Sequence, residues 1–373
     1  MKPKDNSTCF LFFLLALISV PLIQACNRNG AGETGKPAVS PASTPTFVSI
    51  TGGGYHACAL KSTGEITCWG SNSFGQLGHG SRSDSSKPDE VSDIHTATSV
   101  SAGTSHTCAV VSNGALVCWG FNRFGQLGSV RVDSAAKAVR VGEIADGSSV
   151  ASGGNHSCAL LKNSKAICWG YNQYGQLGDG STSLASEPVP AKGVQNATIL
   201  SAGESHTCAL IVDGTVLCWG NNSAGQLGNG KTENSSVPVP VSGITNARAI
   251  SAGDSHTCAV LATGKVMCWG SNATGQLGNG SMENSAVPVE VSGITTATTV
   301  AAGKFHSCAV LSDHHLSCWG SNRAGQIGAK GEDYFRTPVL VEDVSNAAAA
   351  AAGERYTCVL RSDGSIHCFG SGI

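Results

Sequence analysis

Fourteen of the sixteen cysteines fall into seven pairs, ten residues apart within a pair, and the pairs recur every fifty residues. The first four pairs are Cys58 and Cys68, Cys108 and Cys118, Cys158 and Cys168, and Cys208 and Cys218. The remaining three are Cys258 and Cys268, Cys308 and Cys318, and Cys358 and Cys368. A fixed period of this length means one supersecondary unit copied many times, so the chain is a repeat architecture and not a set of unrelated domains.

The spacing also predicts how each pair is used. Between Cys58 and Cys68 two strand-like segments flank Ser62-Thr63-Gly64, a three-residue hairpin loop with glycine at its left-handed position. Pairing outward from that loop puts Cys58 opposite Cys68 at a non-hydrogen-bonded site, where Cα atoms approach to about 4.5 Å, so a disulfide inside each unit is permitted. Units three and six carry Ser164 and His314 at the glycine position and are expected to pay some backbone strain. Each closed loop stabilises by roughly 2 to 3 kcal/mol in the chain-entropy picture. The C-x2-4-C spacing of zinc sites is absent, and we expect no metal and no cofactor.

Four short strand-like runs occur per unit, for example Ala249–Ser251, Thr257–Leu261, Lys265–Trp269 and Val287–Val291. Seven such units predict an all-β, seven-bladed propeller of four-stranded antiparallel blades with one disulfide each. The last unit stops after its third strand. Residues 37–40 resemble the missing fourth one and are expected to close the last blade, the alternative being that everything before Thr46 is disordered.

Lys2 and Lys4 precede an apolar run from Cys9 to Ile23 that is too short to span a bilayer, the pattern of an export signal. Ile23-Gln24-Ala25-Cys26 is similar to a bacterial lipobox, which implies cleavage before Cys26 and its lipidation; an ordinary signal peptide cut nearby is the alternative. The expected organisation is a lipoprotein signal peptide over 1–25, a lipidated cysteine and tether over 26–36, and the propeller over 37–373. Asn27 is not the aspartate that retains some lipoproteins at the inner membrane, so the expected place is the outer membrane of a bacterial envelope, with membrane contact through the lipid alone.

The repeated strings G-x-x-H-x-C-A-V/L and W-G-x-N-x-x-G-Q-L-G, as in Gly203–Leu210 and Trp219–Gly228, resemble repeats of the regulator of chromosome condensation family over roughly residues 46–373. The resemblance implies a seven-bladed propeller. The founding member exchanges nucleotide on a nuclear GTPase and binds chromatin, roles that export excludes here. The formal charge is −2, or −3 without Lys2, Lys4 and Asp5 of the leader, which argues against a nucleic-acid partner.

No catalytic set stands above the repeat background. His56, His106, His156, His206, His256 and His306, with Tyr356 in the seventh place, recur once per unit and read as structural braces. The six tryptophans all belong to the C-W-G string and read as blade packing. Function should lie where the copies differ. Phe74, Phe121, Arg123, Phe124, Tyr171 and Tyr174 concentrate aromatics and arginine on the loops of units one to three, residue types that anchor protein partners or stack on sugars, although packing between blades would also use them. A second cluster comprises Lys304-Phe305, Tyr334-Phe335-Arg336 and Arg355-Tyr356. The expected function is a non-enzymatic scaffold binding a protein or glycan. Alternatives are an inhibitor of a secreted enzyme, or a glycan-acting hydrolase with an inward-facing carboxylate pair at the central opening.

Overall fold

The computed structural model describes residues 46–128 and 132–373. Its first sheet sets the pattern: β1 (Phe47–Gly52), β2 (His56–Lys61), β3 (Ile66–Gly70) and β4 (Ser85–Glu90), antiparallel and in that order. Five more four-stranded sheets and one three-stranded sheet follow among the described residues. The three-stranded sheet is the last, with strands Ala347–Ala352, Tyr356–Arg361 and Ile366–Gly370. Residues 37–40, assigned to its fourth strand from sequence, lie outside the described residues, as do the signal segment and Cys26.

The hairpin between β2 and β3 forms as its sequence dictates. Gly64 takes φ of 93°, Lys61 N donates to Glu65 O at 2.9 Å, and Cys58 faces Cys68 across the strand pair. All seven disulfides join the expected partners. The Cα atoms are 4.1 Å apart in the bridges of Cys58 to Cys68, Cys108 to Cys118, Cys208 to Cys218, and Cys258 to Cys268. They are 4.0 Å apart in those of Cys158 to Cys168, Cys308 to Cys318, and Cys358 to Cys368. These separations fall short of the about 4.5 Å expected of facing residues at a non-hydrogen-bonded site, because the covalent bridge draws the two strands together. Ser164 and His314 are forced to φ of 62° and 65°, the left-handed conformation that glycine would adopt without strain.

The hydrophobic core is divided among the seams between blades. Trp119 of the second blade packs with Leu60, Ile66 and Leu77 of the first, and the same arrangement repeats around the ring. Five of the tryptophans are completely buried. The last glycine of each G-Q-L-G string makes room for them: a Cβ on Gly78 would stand 2.7 Å from the Trp119 indole nitrogen. The seventh seam joins Tyr356 and Leu360 to Ile50, Ala57 and Trp69 and so closes the ring.

Candidate interaction face

The β1–β2 turn and the β3–β4 loop emerge at the same end of each blade, because β1 and β3 run in the same direction. Together, six such pairs and the first turn of the three-stranded last sheet build one face. Its inner ring is the mouth of the central channel, lined by three residues from each blade, the last of them being Gly54, Thr104, Gly154, Glu204, Asp254, Lys304 and Glu354. The next residue outward meets the third-strand loop, as where Ser71 N donates to Tyr55 O at 2.7 Å.

The outer loops are stapled by the residues that recur. In the first blade Asn72 Oδ1 accepts from Leu77 N at 3.0 Å, Asn72 Nδ2 donates to Ser81 O and Ser83 O, and Gln76 Oε1 accepts from Phe74 N at 3.0 Å. Asn and Gln are therefore scaffold, and the variable pair between them is what the loop displays.

On these scaffolds five aromatic candidates form one continuous arc. Ring centroids are 4.8 Å apart for Phe74 and Phe121, 6.1 Å for Phe121 and Phe124, 5.0 Å for Phe124 and Tyr171, and 6.3 Å for Tyr171 and Tyr174. Positions 221, 224, 271, 274, 321 and 324, which continue this circle, hold Asn, Ala, Ser, Thr, Ser and Ala, so the arc ends where blade four begins. None of the five rings belongs to a core cluster, and Phe74 is 40% exposed. Contact between blades and display to solvent are thus combined in the same rings. Arg123 stands apart from the stacked rings, in an exposed ion pair with Asp133 at 3.7 Å that adds little to stability.

The second sequence cluster is divided by the fold. Phe335 packs on the core of the sixth seam and Tyr356 is completely buried, whereas Phe305, Tyr334 and Arg355 line a surface cleft.

The channel mouth carries charge of which the sequence reading singled out Lys304 alone, not Glu204, Asp254 or Glu354. Glu204 reaches over Gly154 to accept from Thr104 Oγ1 at 2.8 Å, and a Cβ on Gly154 would stand 2.4 Å from its carboxyl carbon. Glu354 accepts from Tyr55 OH at 2.6 Å and pairs with Lys304 at 3.2 Å. Burial, reinforced by Glu204, raises the Asp254 carboxyl to about 6. Burial opposes the Lys304 charge, but Asp254 and Glu354 outweigh it and hold that amine above its ordinary value. The mouth encloses about 120 Å³ and the channel below it about 220 Å³, the latter lined by small residues such as Thr51, Ser101 and Ser201. These charged positions were legible by the rule that found the aromatics, since the residue two before each histidine or Tyr356 varies among Gly, Thr, Glu, Asp and Lys. Among the described residues no group of three His, Cys, Asp or Glu side chains is placed to hold a metal ion.

The histidines form latches across the seams. His56 Nε2 meets Thr107 Oγ1 of the next blade at 2.8 Å, and Thr107 Oγ1 donates back to Gln76 O at 2.9 Å. A carbonyl can only accept, so the threonine proton is spent there and His56 Nε2 carries the proton it donates. The Trp119 indole N–H donates to the same carbonyl at 2.8 Å. Six seams repeat the histidine–hydroxyl contact at 2.8 to 2.9 Å. In all six the Nδ1 is buried without a partner, and burial lowers the imidazoles to about 3 or 4. The seventh seam differs because residue 57 is alanine and offers no hydroxyl. Tyr356 takes the histidine's place there, its hydroxyl donating to His56 O at 2.5 Å, with Gly53 O at 3.2 Å.

The model of the RCC1-like domain matches residues 23–300, well over half of the chain, and a regulator of chromosome condensation (RCC1) repeat matches 297–326. This chain belongs to the RCC1-like family. Solved structures agree in fold. Prp20p of Saccharomyces cerevisiae superposes with a TM-score of 0.75 at 22% identity, covering 85% of this chain and 84% of that one. Human WBSCR16 gives 0.77 at 23% identity, with 85% and 87% covered. Prp20p is described by its binding to Gsp1p and histones. Among curated proteins, the human and mouse E3 ubiquitin-protein ligases HERC2 are 30% identical over 92 residues, which is 22% of this chain and 2% of theirs. The RCC1-like chain thus spans about 2% of the length of those relatives. RCC1-like propellers commonly serve protein interactions, in line with the scaffold expected from sequence.

Proposed function

We propose that this RCC1-like propeller is an exported, lipid-anchored binding module that grips a protein partner with the aromatic arc of blades one to three. The observation that carries the reading is the arc itself: five contiguous rings, absent from the other blades, held by stapled loops and left outside the core. Large, rigid aromatic side chains are the usual anchors of protein interfaces. Successive rings are tilted by 57° to 73°, so they present edges as well as faces, which suits an irregular protein surface better than the coplanar stacking a polysaccharide uses. Seven disulfides support an oxidising compartment. The lipobox-like Cys26 supports anchoring in a bacterial envelope, with the outer membrane as the proposed place.

Hydrolysis at the mouth is less well supported. Its cavity of about 120 Å³ is below the ~300 to 1,000 Å³ of ordinary ligand sites, and Glu204 and Glu354 are already engaged by Thr104, Tyr55 and Lys304.

The test is affinity capture from envelope extracts with residues 27–373, beside a Phe74→Ala, Phe124→Ala, Tyr174→Ala variant of unchanged circular dichroism. A protein retained by the first and lost by the second supports the reading, and equal capture by both refutes it. Radiolabelled palmitate incorporated by the full chain but not by Cys26→Ser tests the anchor.

A further inference from the structure

A cleft on the same face, on the far side from the arc, is built by loops of blades five, six and seven. It encloses about 330 Å³, within the range of small-ligand sites (~300 to 1,000 Å³) and well above the channel mouth. Its walls are the rings of Phe305 and Tyr334, and two cations, Arg323 and Arg355, stand at it.

Both guanidiniums have donors to spare. Arg323 lies over the Tyr334 ring at 4.9 Å, and its ion-pair partner, Asp333, is 3.7 Å away. Arg355 approaches Glu354 only to 4.0 Å. Neither distance is a hydrogen bond, since charge-assisted N–H···O contacts fall at about 2.7 to 2.9 Å. Lys304 Nζ, 5.4 Å from the centre of the Phe305 ring, adds positive potential beside the cleft, although Glu354 shares it.

The cleft also holds an amide with an unspent donor. Gln326 is 1% exposed, and its Oε1 accepts from Ala324 N at 2.9 Å. The equivalent Gln226 donates its Nε2 to Asn221 Oδ1 at 2.8 Å and Gln276 to Ser271 Oγ at 3.4 Å, whereas the Nε2 of Gln326, like that of Gln176, meets no acceptor among the described residues. Two unsaturated guanidiniums, with the Gln326 amide beside them in the cleft lining, call for an anionic acceptor. The aromatic walls call for a flat apolar body behind it.

We propose that this cleft binds a carboxylate carried on a six-membered ring, the carboxylate meeting Arg323 and Arg355 and the ring packing against Phe305 and Tyr334. The site is separate from the aromatic arc, and neither reading rests on the other. An aromatic acid and a sugar acid share this chemistry, and the experiment separates them.

The side-chain N–H signals of Gln326 and the arginines are followed by NMR in residues 27–373 during titration with sodium benzoate and sodium glucuronate. Benzyl alcohol, glucose and inorganic phosphate serve as controls. The expected result is a saturable shift at these signals with at least one of the two acids and none with the neutral compounds. Arg323→Gln and Arg355→Gln, each with an unchanged unfolding temperature, should weaken binding by about tenfold or more, while Phe74→Ala should leave it unchanged. Response to benzoate alone assigns aromatic acids, and response to glucuronate alone assigns sugar acids. The proposal is overturned by the absence of saturation at concentrations on the order of tens of millimolar, by equal binding of the neutral compounds, by phosphate binding as tightly as either acid, or by indifference to both arginine substitutions.

Discussion

Acid should open this propeller, and the latches say where. A buried histidine lowered to about 4 in the fold, against 6.5 in the open chain, binds fewer protons folded than unfolded throughout that window. Stability is therefore fully present above pH 6.5 and falls as the pH drops toward 4. At pH 4.5 each such group costs roughly 2 to 3 kcal/mol, from RT ln of the ratio of the two binding polynomials. Three of the six, His106, His156 and His256, are lowered further, to about 3. Six latches together reach the order of 10 kcal/mol, comparable with the entire net stability of most domains (~5 to 15 kcal/mol). Asp254 works in the opposite direction, because a carboxyl raised to about 6 takes up its proton while folded, but it is one group against six. The lowered carboxylates Glu65, Asp213, Asp313 and Asp363 are surface groups whose ordinary values lie at 3.8 to 4.5, so their effect falls at the acid edge of the window. The assay is equilibrium urea unfolding followed by circular dichroism at pH 7.5, 6.5, 5.5 and 4.5 with disulfides intact. His206→Gln should lessen the slope by up to about 1.4 kcal/mol per pH unit. Stability that stays level from pH 7.5 to 4.5 would refute the neutral, desolvated latch.

Three further outcomes follow from the same contacts. Tyr356→Phe removes the hydroxyl that bridges the closing seam to His56 O and should cost about 0.5 to 1.5 kcal/mol in urea unfolding, the worth of one hydrogen bond, because His56 O keeps the N–H of Gly53. Asn222→Ala takes away the side chain that binds Leu227 N, Lys231 O and Glu233 O, and should lower stability by about 2 kcal/mol or more while raising amide exchange across residues 223–234. Replacing Cys208 and Cys218 together by alanine should cost about 2 to 3 kcal/mol, read as a lower urea midpoint than the parent.

Much of this molecule was legible because its copies agree. The fifty-residue ruler and the ten-residue cysteine spacing fixed strands, turns and pairing before any coordinate, since a strand pair around a three-residue loop leaves one register for Cys58 and Cys68. The same register recurs in every copy, down to Cys358 and Cys368 in the incomplete last sheet. The aromatics were legible as departures from the repeat. Their union into an arc was not, because it depends on how far one blade turns against the next. That rotation brings Phe74 to Phe121 across 47 residues of chain. The same geometry brings Glu204 to Thr104, two blades away, and Arg323, Gln326 and Arg355 to one cleft. Tyr356 was visible as an exception to the histidine series. Its reason, the missing hydroxyl at Ala57, became apparent only when the seventh seam placed the two side by side.

The central claim is that the arc is the gripping surface, and site-specific photo-crosslinking in the native envelope tests it most directly. A benzophenone amino acid replaces Phe74 or Tyr174 on the arc and, for comparison, Val237 or Val287 on outer strands, where Val287 is 43% exposed against 40% for Phe74, so accessibility is matched. The account requires discrete cross-linked protein adducts from the arc positions and none from the valines. Adducts from the valines alone, or an equal yield from all four sites, would contradict it.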